Sequence, residues 1–349
     1  MNVAIVGAGY MGTNHARVLN QIRLEGEYDV NLSYIVDKDY LRAKRVTRIY
    51  GGKPLKDVNS LPSSDVDIAI VASPTSTHFN VVNTLIDKGI PFIFIEKPLT
   101  KEISEAERLV ERAVEQEITL GVGHIERFNP AIISLMQELV SNKLGNILTI
   151  VSRRVGPFVP RVKDVDVIMD LAIHEVDIHL AIMRDKPFLI KSFLLERIVS
   201  DYIDHSIIVL KYKSGFSSIE VNRVTPFKQR LLYLTGTKGV AKVDYILREL
   251  IFYVGNYIVN TNMEKKEPLY LEDLAFIRSI TEKLSPPVDA FQAYTSMAVC
   301  YKSIVSGKRE KDELFSSDIN QEFVEKGIRG YRSFYEYHLQ WLRSKIQPW

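Results

Sequence analysis

A chain of 349 residues is longer than one ordinary domain, so two domains are expected. With 46% hydrophobic residues it can build a sizeable core, and 45 basic against 43 acidic residues leave a net charge of +2, which excludes the basic footprint of a nucleic-acid or membrane-surface binder. The single cysteine, Cys300, excludes an intrachain disulfide and a thiolate-built metal cluster, and no apolar run approaches the ~20 residues of a membrane span. A strand entered at once from the first residue leaves no room for a signal peptide, so a cytoplasmic location is expected.

Asn2 to Val6 is apolar and β-branched and runs into Gly7-Ala8-Gly9-Tyr10-Met11-Gly12. Met11, His15, Val18, Leu19 and Ile22 then recur at helical spacing. A GxGxxG pattern between a strand and a helix points to a dinucleotide. Gly7 permits the tight turn, Gly9 lets the backbone approach a pyrophosphate, and Gly12 lets helix and strand pack closely. Tyr10 and Met11 open that helix, whose free N–H groups face the phosphates, and count with the cofactor-binding residues. Asn31 to Val36 is a second strand ending in Asp37, 25 residues after Gly12, where an acid accepts hydrogen bonds from a ribose 2′-hydroxyl. It would repel a 2′-phosphate, favouring NAD, although Lys38 and Arg42 stand close enough to keep NADP possible.

Strand and helix keep alternating. Asp67 to Ala72 is a buried strand followed by Ser73-Pro74-Thr75-Ser76-Thr77-His78 and a helix reaching about Lys88. Ser73, Pro74, Thr75 and His78 lie at a strand's carboxyl end and should face the cofactor, although a core or helix-start histidine would explain His78 as well. Pro91 to Ile95 is an apolar run ending in Glu96-Lys97-Pro98. A lysine delivered by a strand end is held rigidly where open α/β sheets place their ligands, whereas a surface Glu-Lys pair before a turn proline is the plain alternative. A helix from Ser104 to about Glu117 starts with a capping box of Ser104 and Glu107, and Ile118 to Val122 is the last strand of this pattern. The whole predicts a doubly wound α/β Rossmann domain with a mostly parallel sheet over residues 1–123.

A second domain over 124–310 opens with Glu126-Arg127-Phe128-Asn129-Pro130, where Asn129 caps a helix and Pro130 takes its first position. From Asn146 the texture becomes strands and short turns, near 146–155, 188–198, 205–213, 216–224, 229–235 and 239–246. That is an α+β domain with a mainly antiparallel open sheet. Before its second strand comes a helix at about 167–184, along which Asp170, His174 and Asp177 share one face. An Asp one turn before a His can hold the imidazole as a general base requires, although such pairs are commonplace on exposed helices. Metal binding by this set is disfavoured, since no further His or Cys is near in sequence. Arg153, Arg154, Arg161 and Lys163 cluster around Gly156-Pro157-Phe158, either as a solvated basic loop or as the seat of an anionic substrate. Residues 311–349 form a helical, aromatic-rich extension. Val324, Ile328, Tyr331, Tyr335, His338, Leu342 and Ile346 make a stripe too apolar for a free tail, so it should pack on the body or on a second subunit.

Together, Gly7 to Gly12, Glu96-Lys97-Pro98 and Asp170-x-x-x-His174 resemble the Gfo/Idh/MocA oxidoreductase family over residues 1 to about 310. The resemblance implies an NAD(P)-dependent dehydrogenase acting on a secondary hydroxyl of a sugar. It implies that Lys97 holds and polarises the substrate oxygen, that His174 takes its proton, that Asp170 orients His174, and that Glu96 hydrogen-bonds the nicotinamide ribose. The three residues between Asp170 and His174 are Leu171-Ala172-Ile173, where many inositol dehydrogenases have a glycine, which weakens transfer of inositol specificity. Gly123 to Pro130 and Arg154 to Phe158 look most like the UDP-N-acetylglucosamine 3-dehydrogenase branch. On that reading Arg127, Asn129, Arg154 and Arg161 join Lys97, Asp170 and His174 in binding substrate, no metal is needed, and the chain is a homodimer or homotetramer through its second-domain sheet. An inositol or free-sugar dehydrogenase is the alternative within the family. A non-catalytic NAD- or sugar-sensing regulator, which would not need the Lys, Asp and His together, and a reductase of a non-sugar substrate are the alternatives in function.

Overall fold

The computed structural model describes residues 1–159, 165–261, 263–316 and 318–346. The chain forms two compact units, Met1–Gly123 with Leu269–Ala293, and His124–Pro268 with Tyr294–Trp349.

In the first unit the strands are β1 (Asn2–Val6), β2 (Asn31–Val36), β3 (Lys53–Leu55), β4 (Ile68–Val71), β5 (Phe92–Glu96) and β6 (Thr119–Gly123), and the helices α1 (Tyr10–Glu25), α2 (Tyr40–Tyr50), α3 (Thr75–Asp87) and α4 (Ile103–Glu115). The sheet order is β3-β2-β1-β4-β5-β6, with every pair parallel. This is the doubly wound arrangement expected from the alternation, and its strand order reverses between β1 and β4. Val3, Ala4, Ile5, Ala69, Val71, Ile93 and Ile95 are buried, as continuous apolar runs covered on both faces must be. One cap differs from expectation: α4 begins at Ile103, and its capping box pairs Glu102 with Glu105 instead of Ser104 with Glu107. Glu102 has extended backbone angles, so the last non-helical residue lies two positions earlier than the Ser-x-x-Glu pattern suggests.

Residues 269–293, which the sequence places in a domain spanning 124–310, pack on the parallel sheet instead. Phe276 stands 5.2 Å from Phe94 between ring centroids, and Val122 N–H donates to Val288 O at 3.0 Å. A Cβ on Gly121 would come within 2.4 Å of the Phe276 ring, so glycine there makes room for it. An apolar helix pattern reports that a face is buried, not which sheet buries it.

The second unit holds α5 (Pro130–Val140), α6 (Ile173–Met183) and the strands β7 (Ile147–Pro157), β8 (Leu189–Glu196), β9 (Ile203–Lys211), β10 (Phe216–Asn222), β11 (Val224–Gly236), β12 (Gly239–Asp244), β13 (Glu249–Val254), β14 (Tyr257–Asn260) and β15 (Glu313–Leu314). Their order is β14-β13-β12-β11-β7-β10-β9-β8-β15. The pairs are antiparallel except β7 with β10, so the sheet is mixed. Asn129 caps α5 as expected, accepting from Ala131 N at 3.2 Å, with Pro130 at the first helical position. One sheet face presents Val151, Phe193, Ile207, Phe216, Tyr233 and Tyr253, all well exposed in the single chain.

The chain ends in α9 (Gln321–Tyr337) and α10 (Leu339–Ile346), after α7 (Pro268–Thr281) and α8 (Ala290–Arg309). Val324, Ile328, Tyr331, His338, Leu342 and Ile346 are buried, so the apolar stripe packs on the unit's own body. Tyr335 O–H donates to Ala181 O at 3.1 Å, and Glu264 N–H donates to Ile346 O at 2.7 Å. Trp349 lies outside the described residues. Among the described residues no helix is long and apolar enough to cross a membrane.

Candidate active site

At the carboxyl end of the parallel sheet the glycine loop has the shape its spacing predicts. Gly7 has φ +103°, and a Cβ there would stand 2.6 Å from the Ala72–Ser73 backbone. A Cβ on Gly12 would come within 1.7 Å of Gly7 O, whereas one on Gly9 would meet nothing within 4 Å. Two glycines are therefore demanded by the fold, and the third keeps an open approach to the backbone. The N-terminus of α1 has no side-chain cap and no acidic residue in its first turn, so its N–H groups and positive dipole end are available to an anion. Tyr10 is exposed beside it and Met11 half-buried. A loop of this form fits a dinucleotide pyrophosphate.

Asp37 sits at the end of β2 and is buried. Its Oδ2 accepts from Ala8 N at 2.8 Å and its Oδ1 from Asp39 N at 2.8 Å, which ties the acid to the glycine loop. Arg42 Nη1 stands 3.6 Å from Asp37 Oδ2. Both carboxylate oxygens keep further lone pairs with which to accept from a ribose hydroxyl.

Beyond β4, Ser73 Oγ and Thr77 Oγ1 are hydrogen-bonded at 2.7 Å, Pro74 precedes the first turn of α3, and Thr75 is half-buried. His78 departs from expectation. It is 1% exposed, with Nδ1 3.0 Å from Pro98 O and Nε2 2.9 Å from Ser73 O. Burial lowers its pKa below the ordinary histidine value, against the opposing pull of those carbonyls. The imidazole straps the end of β4 to the segment after β5, so the cofactor assignment made for it gives way to a structural one. Glu96 is the last residue of β5 and accepts from His15 Nε2 at 3.0 Å, and Lys97 follows it, half-buried.

In the second unit the helix expected at 167–184 is a π-turn, Ile168–Ala172, continued by α6. Asp166 Oδ1 opens it by accepting from Ile168 N at 2.8 Å and Met169 N at 2.9 Å. Asp170 lies in the wider π-turn and His174 in the first α-turn, so their four-residue spacing crosses the junction. Such turns are frequent at functional sites. Asp170 is half-buried and His174 is 8% exposed. Asp177 serves elsewhere: it takes Arg127 Nε at 3.1 Å and Nη2, and the Tyr331 O–H at 3.2 Å.

Of the basic cluster, two members stand in a strand and not in a loop. Arg153 and Arg154 lie in β7 and alternate across the sheet. Arg153 pairs with Glu220 at 2.9 Å and Gln229 at 2.7 Å. Arg154 is 2% exposed, its Nε 2.7 Å from Glu175 Oε1 and its Nη1 2.9 Å from Glu126 Oε1. Tyr245 donates to Glu175 Oε2 at 3.0 Å, and Asn129 Nδ2 to Tyr245 O at 3.0 Å. Arg127, fully buried, lies over the Tyr331 and Phe334 rings. Arg127 and Arg154, assigned to substrate from the sequence, are thus engaged in internal ion pairs because their charges must be neutralised inside the unit, and Asn129, assigned with them, caps α5 and donates to Tyr245 O. Arg161 and Lys163 lie outside the described residues. The cation the sequence missed is Arg230, in β11, 38% exposed at its side chain and 3.2 Å from Glu126 Oε1. Burial and Arg154 lower its pKa, while Glu126, Glu175 and Asp170 act to raise it, so Asp170 belongs to its surroundings. Among the described residues no group of three or more His, Cys, Asp or Glu is placed to hold a metal ion.

Residues 1–124 match the family model described as an oxidoreductase family with an NAD-binding Rossmann fold. The UDP-N-acetylglucosamine 3-dehydrogenase of Acidithiobacillus ferrooxidans is 30% identical over 72% of this chain and 77% of its own. Its solved structure superposes with a TM-score of 0.80 at 26% identity, covering 88% of this chain and 98% of that one. The myo-inositol 2-dehydrogenase of Thermotoga maritima is 25% identical over 86% of this chain and 94% of its own. A levoglucosan dehydrogenase in complex with NADH and levoglucosan shares the fold at 17% identity, with a TM-score of 0.81 over 91% of this chain and 100% of that one. The glycine loop, the strand-end Glu-Lys-Pro and these similarities converge on one statement: the chain belongs to the Gfo/Idh/MocA family, NAD-binding oxidoreductases that act on the CH–OH groups of sugars and polyols.

Proposed function

We propose that the protein oxidises the 3-hydroxyl of a UDP-N-acetylglucosamine-type nucleotide sugar. The observation that carries the reading is the match to the Acidithiobacillus ferrooxidans enzyme in both sequence and structure, the latter over nearly that chain's whole length. Bound NAD would supply a hydride acceptor for the carbinol carbon. Gly7, Gly9, Gly12, Tyr10 and Met11 would hold its pyrophosphate, Asp37 its adenosine ribose, Ser73, Pro74 and Thr75 would line its path, and Glu96 would accept from the nicotinamide ribose. Lys97 donates a hydrogen bond to the substrate oxygen, His174 takes the hydroxyl proton, and Asp170 orients His174. Arg230 replaces the buried Arg127 and Arg154 as the cation offered to the substrate diphosphate, since its guanidinium is partly exposed. A homodimer or homotetramer through the apolar sheet face of the second unit completes the reading, and the buried free Cys300 suits a reducing cytoplasm.

The test is NADH formation, followed by its near-ultraviolet absorbance, with purified protein, NAD or NADP and a panel of UDP-N-acetylglucosamine, UDP-glucose, glucose and myo-inositol. A rise with UDP-N-acetylglucosamine alone is expected. A rise with myo-inositol alone would put the chain with the inositol dehydrogenases, which the long match to the Thermotoga maritima enzyme favours as second reading. Silence with NADH still bound would favour a sensor.

Cofactor choice has its own test. Asp37→Ala is expected to weaken NAD by at least about tenfold more than NADP in paired titrations, because the carboxylate accepts from a 2′-hydroxyl and repels a 2′-phosphate. Equal losses would reduce Asp37 to its bonds with Ala8 and Asp39.

A further inference from the structure

We propose that His15 is a positioning residue for the nicotinamide half of the site, acting as an imidazolium clamped between Asp273 and Glu96. The inference rests on the reading of Glu96 as the acceptor for the nicotinamide ribose. Residues 15, 96 and 273 are far apart in sequence and come from three elements: α1, the end of β5 and α7.

His15 is 0% exposed. Its Nδ1 lies 2.9 Å and 3.0 Å from the two Asp273 oxygens, and its Nε2 lies 3.0 Å from Glu96 Oε1. Carboxylates accept and do not donate, so both ring nitrogens must carry a proton for both contacts to be hydrogen bonds. A neutral imidazole has one N–H. It would leave the other nitrogen's lone pair facing a carboxylate oxygen at about 3.0 Å, too close for a water to stand between them. The proton on His15 therefore does two things. It cancels one of two buried negative charges, and it fixes which way the Glu96 carboxylate points.

The surroundings are built for one orientation. The Phe94 ring stands edge-on to His15 at 5.6 Å, and Phe276, one turn beyond Asp273 on α7, packs against Phe94. A Cβ on Gly123 would sit 3.2 Å from Glu96 Oε2, so glycine there leaves room for the second carboxylate oxygen. Glu96 is 12% exposed at its side chain, against 2% for Asp273. The inner acid thus acts through the histidine on the outer one. The titratable groups contacting the ring are Asp273 from α7 and Glu96 from β5. Although burial opposes the charged form, these two carboxylates raise the His15 pKa well above the ordinary value.

The test is NADH affinity by fluorescence, which needs no substrate, for wild type, Asp273→Asn, Glu96→Gln and the double variant, from about pH 6 to about pH 9. The asparagine keeps the shape and an acceptor oxygen but removes the charge that holds the proton. Asp273→Asn is expected to bind like wild type near the acid end and about tenfold more weakly at the alkaline end, where wild type stays flat. Glu96→Gln should weaken binding at every pH, and adding Asp273→Asn to it should cost nothing more. Additive losses, or a pH-independent loss in Asp273→Asn, would overturn the clamp and leave Asp273 a packing residue, as a parallel melting curve would register. Unchanged affinity in Glu96→Gln would overturn the Glu96 reading itself and the clamp with it.

Discussion

Lys97→Ala and His174→Ala are each expected to lower turnover by about 100-fold or more while NADH affinity stays within about twofold of wild type. Both residues are assigned to the hydroxyl that reacts, where positioned proton transfer contributes about 100-fold to 10,000-fold. Lys97 follows the last residue of β5, whose interior positions Ile93 and Ile95 are fully buried, so removing the ammonium leaves the strand that delivers it intact. His174 stands in the first α-turn after a π-turn that Asp166 caps, so the helix start does not depend on its ring. Cofactor affinity should therefore be kept in both. Single-turnover hydride transfer measures the chemical step, and full activity in either variant would remove that residue from the chemistry. If turnover fell only with a matching loss of NADH binding, the lysine would be a cofactor contact and no more.

What the sequence made legible is chemistry carried by neighbouring residues. Gly7, Gly9 and Gly12 follow an apolar β-branched run, and the demands of a tight turn and of close packing act within a few residues, so the loop could be read directly. The same holds for Asn129-Pro130 and for Glu96-Lys97 at a strand end. What stayed hidden depends on distant partners. His15 reads as one more member of the α1 stripe, because nothing near it announces Asp273 and Glu96. Arg153 and Arg154 read as one basic cluster, yet strand alternation sends one to Glu220 and buries the other between Glu126 and Glu175. Asp177 lies a turn beyond His174 and looks like part of a catalytic face until Arg127 and Tyr331 are seen to hold it. The edge strand β14 escaped because its four residues are all exposed and carry no alternation, and β13 because its apolar run Leu250 to Val254 shows no alternation in sequence although Leu250 and Phe252 are buried.

Arg154→Met is the variant that separates a substrate contact from a structural one, and it is expected to cost about 3–5 kcal/mol of stability. The guanidinium is the shared partner of two buried acids, and methionine would fill its volume while leaving Glu126 and Glu175 without their bridging cation. The pH dependence follows from Glu126. In the native protein burial acts to raise its pKa, but Arg154 and Arg230 outweigh burial and hold it below the ordinary value. A carboxyl whose folded pKa is depressed stabilises the fold above its unfolded pKa and loses that contribution as pH falls through the folded one. Without Arg154 only Arg230 and Asn129 are left to oppose burial, so the folded pKa of Glu126 rises relative to wild type, and the variant loses less stability on acidification than wild type does. The melting gap between the two should thus be widest near neutral pH and narrow as pH falls toward about 5. Glu126→Gln in the same background should recover part of the loss, since it removes one stranded charge. If Arg154 instead reached the substrate diphosphate, the variant would melt like wild type and show a raised KM for a UDP-sugar with its kcat intact.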